Sequence, residues 1–241
     1  MAADDAYTSL LSHFDGADAS TTFTDEVGHT INAVGNAQLD TAFYKFGTAS
    51  LLLDGNDYCT VAADASFAWN TGAFTWECWV RGGTLGTSHH GIIESRVDEG
   101  TTGILLETLN KVASVWMQGQ KIAGTTSFVD GTWYHLAVVG NGGGSGSRTI
   151  KLYVNGTQEG STWTYDYNFT NTSLIIGETY GFGLGWNGHI DEMRLSLGVQ
   201  RYTGNFTQPT NPFGIPSAKY YLKNARRNRF ERLGVSVENP Q

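Results

Sequence analysis

The run GHIDEMRLSLGVQRYTGNF at residues 188–206 sets two carboxylates, Asp191 and Glu192, side by side in a segment whose alternation otherwise reads as a β-strand. Carboxylates are poor strand formers and costly to bury, so such a pair has three uses: acid–base chemistry, metal ligation or a solvated surface. Successive strand residues point to opposite faces, so two adjacent carboxylates are not expected to act together on one bond. Cys59 and Cys78 lack both C-x-x-C spacing and a neighbouring histidine in sequence, and no G-x-S-x-G elbow is present, so a nucleophilic site is not expected and both thiols read as free and buried. His89 and His90, adjacent in GTSHHG with no obvious third ligand, read as a solvated loop. Two aromatic runs can display rings for stacking on sugars: TYGFGLGW, with Tyr180, Phe182 and Trp186, and STWTYDYNF at residues 161–169. Near the end of the chain, Arg226, Arg227, Arg229 and Arg232 offer guanidinium forks suited to an acidic protein surface.

Charge supports that division. The formal net charge of −8 opposes binding to nucleic acid or anionic membrane. It hides a split: residues 1–213 hold 9 Lys and Arg against 21 Asp and Glu, whereas residues 214–241 hold 6 against 2. The chain therefore divides into an acidic body, 1–213, and a basic C-terminal arm, 214–241. The opening MAADDAYTSLLSHFDG has aspartates where a secretory signal carries positive charge, and no apolar run reaches the ~20 residues of a membrane span, so a soluble product made in the cytoplasm is expected.

The elements that must position these groups are strands. In FTWECWVRG, Phe74, Trp76, Cys78 and Val80 fall on one side and Thr75, Glu77, Trp79 and Arg81 on the other. Similar short runs recur from about residue 48 onward: ASLLLDG, YCTVA, HGIIESRV, GILLETL, KVASVWMQG, WYHLAVVG, TIKLYVNGTQEGSTW, TSLIIGET and HIDEMRLS. Asn155 and Gly156 form the dipeptide that two-residue hairpins prefer, because both central positions need a positive φ. GNGGGSGSR at residues 140–148 has no Lys-Ser/Thr ending and reads as a hairpin tip rather than a phosphate cradle. Three of the 4 prolines gather in TQPTNPFGIP and end the strand pattern. About ten short strands without an intervening helical pattern predict an all-β, two-sheet antiparallel jelly-roll sandwich.

The runs FGTASLLLDGNDYCTVAAD, GAFTWECWVR, GTWYHLAVVG, IKLYVNGTQEGS and LIIGE, closing with GHIDEMRLSLGVQRYTGNFTQPTNPF, resemble the laminin-G-like branch of the concanavalin A-like lectin/glucanase superfamily. Specifically, HFDG at 13–16 and RYTGNFT at 201–207 resemble the form common in structural proteins of tailed bacteriophages. The resemblance implies a non-enzymatic virion protein, a capsid decoration or attachment protein anchored to other virion proteins and homo-oligomeric in the particle, with weak glycan adhesion. A tail-associated receptor-binding or carbohydrate-binding module is the alternative. It also implies a structural calcium site at Asp191, with Asp15 and Asp54 as companions, the ion taking 6–8 oxygen ligands that include backbone carbonyls. The other use for Asp191 is to hydrogen-bond turn amides. Glucanases on this fold carry Glu-x-Asp-x-x-Glu or Glu-x-Asp-x-Glu along one strand; the acids of ESRVDE, Glu94, Asp98 and Glu99, have the wrong order and spacing, so no catalytic residues are assigned.

Overall fold

Alternation settles which side of each strand faces inward. Phe74, Trp76, Cys78 and Val80 all enter the core, as their spacing predicts. The computed structural model describes residues 6–96, 103–180 and 183–214. Its first half contains β1 (Thr8–Ser12), β2 (Thr22–Phe23), β3 (Ile31–Val34), β4 (Gln38–Asp40), β5 (Ser50–Asp54), β6 (Tyr58–Val61), β7 (Phe74–Gly82) and β8 (His90–Glu94). The second half contains β9 (Leu105–Leu109), β10 (Val112–Trp116), β11 (Gln120–Ala123), β12 (Trp133–Gly140), β13 (Arg148–Val154), β14 (Thr157–Tyr165), β15 (Leu174–Ile176) and β16 (Asn187–Leu197).

These strands form two antiparallel sheets. The first runs β14, β13, β12, β7, β16, β5, β4, with β1 also on β16; the second runs β11, β10, β9, β8, β15, β6, β3, β2. Between them lies one apolar core, in which Trp69, Phe74, Trp76 and Phe169 form an aromatic cluster with the Trp69 and Phe169 rings stacked at 4.7 Å. Cys59 and Cys78 are buried free thiols, and burial pushes Cys59 up to about 12. The strands β1 to β4, before residue 48, and β11 are those that the sequence runs did not announce; they are 2 to 5 residues long.

The first sheet is covered on its outer face as well. Glu77 and Trp79 point outward yet are 2% and 1% exposed. Trp79 is covered by Lys45 and Phe46 of the loop before β5, and Glu77 by the segment after β16. Tyr202 and Phe206 stack at 3.5 Å and pack on Ala137, Val139 and Tyr153, while Phe213 lies under the Arg194 guanidinium at 4.0 Å. This strap carries the proline-rich stretch that ends the strand pattern.

Candidate functional site

The acidic pair of β16 sits at a seam. Before it, Asn187 to Ile190 pair with β5; after it, Met193 to Ser196 pair with β1. The ladder to β7 also shifts register between Asp191 and Arg194, and Glu192 has φ +50°. Ile190 and Met193 both enter the core, so this bulge leaves both carboxylates on the outer side instead of on opposite faces. There they satisfy backbone groups that a changing strand neighbour leaves without ladder partners. Asp191 Oδ2 accepts the N–H groups of Lys45 (2.6 Å) and Phe46 (3.1 Å), and Oδ1 accepts that of Glu192 (2.7 Å). Glu192 accepts the N–H of Phe213 (2.7 Å) and pairs with the half-buried His13 (2.7 Å).

The same geometry tests the calcium expectation. Asp15 Oδ1 accepts the hydroxyl of Thr48 (3.0 Å) and the N–H groups of Thr48 and Ala49, at the far end of the loop that Asp191 holds. Asp54 accepts the N–H of Asn56 (2.9 Å) and sits opposite Asn187, four residues before Asp191 along β16. These oxygens face N–H donors, not a shared cavity, and no group of three or more His, Cys, Asp or Glu side chains among the described residues is placed to hold a metal. In this arrangement the three aspartates do not fit a calcium ion.

A pocket of about 340 Å³ lies on the outer face of the second sheet. Strand register builds it: Glu94 pairs with Leu105 and Leu105 with Trp116, while Gly91 pairs with Glu107 and Glu107 with Ser114. Two outward rows thus cross β8, β9 and β10. A Cβ on Gly91 would stand 2.4 Å from the carbonyl carbon of Glu178, so only glycine lets the 178–179 segment cross here and bring Thr179 to the pocket wall. His89, Arg96, Leu184 and the Gln118 turn complete the lining.

Its polar groups are held from behind. His89 Nδ1 bonds Glu107 Oε2 at 2.8 Å, and the imidazole meets Trp116 edge-on at 5.2 Å. Arg96 Nε bonds Glu94 Oε1, whose other oxygen accepts the N–H of Tyr180 at 2.6 Å. Burial pushes both carboxyls above the ordinary range, opposed by Arg96 at Glu94 and by His89 at Glu107. Glu107 Oε1 and Thr179 Oγ1 are buried without a hydrogen-bond partner among the described residues. An unpaired buried acceptor costs about 1–3 kcal/mol, which a donor on a bound molecule would recover.

The residues expected at a glycan site divide differently. Trp186 is buried, its indole donating to the His189 carbonyl, and it packs in the core between the sheets rather than in the pocket lining. In STWTYDYNF, Tyr165 and Phe169 are likewise buried at 3% and 0%. Tyr180 is 42% exposed, its backbone tied to Glu94 beside the pocket; Phe182 lies outside the described residues, as do Arg226, Arg227, Arg229 and Arg232. Of the two histidines read as a solvated loop, His89 is a pocket wall and His90 Nδ1 bonds the Gly185 carbonyl at 3.0 Å. Sequence reasoning missed Glu107 and Trp116, whose signal was an acid and an aromatic at outward positions of their strands, visible only once the rows were in register.

A two-sheet antiparallel jelly roll of this topology is the architecture of concanavalin A-like domains. The chain belongs to the concanavalin A-like lectin/glucanases superfamily, whose family profile matches residues 53–199. Domain 4 of the GH43 extracellular arabinanase AbnA from Geobacillus stearothermophilus, solved in complex with arabinotriose, is similar, with 20% identity, a TM-score of 0.58 and coverage of 80% of this chain and 95% of that one. The binding domain of Paraclostridial Mosquitocidal Protein 1 is 13% identical with a TM-score of 0.61, over 92% of this chain and 53% of that one. The receptor-binding domain of botulinum neurotoxin type G is 10% identical with a TM-score of 0.56, over 92% and 51%. The chain thus spans about half the length of the two toxin domains. No curated protein sequence matches it.

Proposed function

We propose that the pocket on the outer face of the second sheet binds a glycan and that the chain works as a non-enzymatic carbohydrate- or receptor-binding module. The observation that carries this is the joining of a half-buried indole, Trp116, with buried acceptors that lack partners, in a cavity of about 340 Å³. Sugar rings pair an apolar face with donating hydroxyls, and the pocket offers the counterpart of both. The arabinotriose complex of the AbnA domain and the binding domains of the two toxins support the reading by analogy of fold.

Placement on a tailed-phage particle, with virion proteins as partners of the basic arm, is part of the proposal and rests on the sequence resemblance alone. The test of binding is a glycan array probed with the protein and with Trp116→Ala. The wild type is expected to give a restricted set of signals that the variant loses by at least about tenfold, while retaining its folded amide spectrum. Equal signals from both proteins would remove the pocket from the account.

A further inference from the structure

Resting on the glycan-binding reading, we infer that the pocket selects its sugar by charge: it takes rings whose hydroxyls or amines donate hydrogen bonds to Glu107 and rejects rings that present a carboxylate there.

The inventory of donors and acceptors leads to this. Glu107 is ionisable, 0% exposed, and has one oxygen committed to His89 at 2.8 Å and one that is buried with no partner. His89 Nδ1 is spent on that bond, which leaves its Nε2 for a ligand. Thr179 Oγ1, also without a partner, can serve either way. Among the described residues of the lining the one formal cation is Arg96, and its Nε is turned to Glu94, which is itself 0% exposed. The pocket thus sets two carboxyl side chains, Glu94 and Glu107, against the single guanidinium of Arg96. A sugar hydroxyl or amine meets an acceptor waiting for it. A uronic or sialic carboxylate brings a like charge with no hydrogen to donate, in a desolvated site where charges are weakly screened. Leu105, Leu184 and Trp116 contribute apolar contact that does not depend on charge, so the discrimination falls to Glu107.

Matched ligands separate charge from shape. Trigalacturonate and its methyl ester, and triacetylchitotriose and chitotriose, would be titrated at pH 7 by calorimetry, with the Trp116 indole N–H signal reporting occupancy of the pocket. The methyl ester is expected to bind at least about tenfold more tightly than the free acid, and chitotriose no more weakly than its acetylated form. In Glu107→Gln, which keeps the shape of the side chain, the preference against the acid should narrow to within about threefold. Trigalacturonate binding the wild type as tightly as its ester would overturn the charge selection and leave glycan binding standing. Failure of all four ligands to move the Trp116 signal would instead bring down the glycan-binding reading, and this inference with it.

Discussion

Glu77 shows how single charges are held in this molecule. It is 2% exposed on the outer face of β7, where its Oε1 accepts from Arg194 Nη2 (2.6 Å) and Nε (2.9 Å) and its Oε2 from the Tyr202 hydroxyl (2.8 Å). Burial alone would raise its pKa, but Arg194, His135 and Tyr202 hold it down to about 2. A carboxyl lowered in the folded state contributes stability that is fully present above its unfolded value, about 4.5, and is lost as pH falls through its folded value. Urea midpoints followed by tryptophan fluorescence should therefore fall steeply between about pH 4.5 and pH 2. Glu77→Gln should flatten that slope while lowering stability at pH 7 by about 3 kcal/mol, because Arg194 would lie buried beside a neutral amide. That Glu77 points outward was legible in the alternation of FTWECWVRG; that outward here means buried was not, since the strap that covers it comes from residues more than a hundred positions away.

Among elements, the β13 to β14 hairpin was the easiest to read and the β16 bulge the hardest. Asn155 and Gly156 have φ +50° and +81°, as the dipeptide required, and Asn155 Oδ1 also accepts the His135 N–H at 2.9 Å. Gly156 has a second reason to be glycine: a Cβ there would stand 1.9 Å from the Phe206 carbonyl oxygen of the strap. Asn155→Ala should cost about 1–2 kcal/mol, the sum of a strained backbone and a lost acceptor, and Gly156→Ala more, because it must also displace the strap; thermal melts of the two variants would rank them. Local chemistry sets the hairpin, so the sequence announces it. The bulge arises where β16 exchanges β5 for β1, and nothing within residues 188–197 names those neighbours. The acids that looked like chemistry are therefore the acceptors that close this seam.

At the scale of the whole molecule, the two outer faces have different fates: that of the first sheet is covered by the strap and by the loop before β5, and that of the second keeps an open pocket. Ending the chain after residue 214 should leave the sandwich folded, whereas ending it after residue 198 should uncover Ala137, Val139 and Tyr153 and remove the Tyr202 bond to Glu77. The shorter product should unfold at lower temperature and aggregate, which calorimetry and light scattering would reveal. The sandwich itself was legible because its core faces repeat every second residue. The pocket was not, since His89 and Glu107 lie 18 positions apart and meet only through the pairing of β8 with β9. The most direct test of the central claim is a titration with an array-positive glycan, observed at the tryptophan indole N–H signals. A saturable shift is expected at Trp116 on the second sheet while Trp133, on the first sheet, stays still. A shift led by Trp133, with Trp116 unmoved, would contradict it.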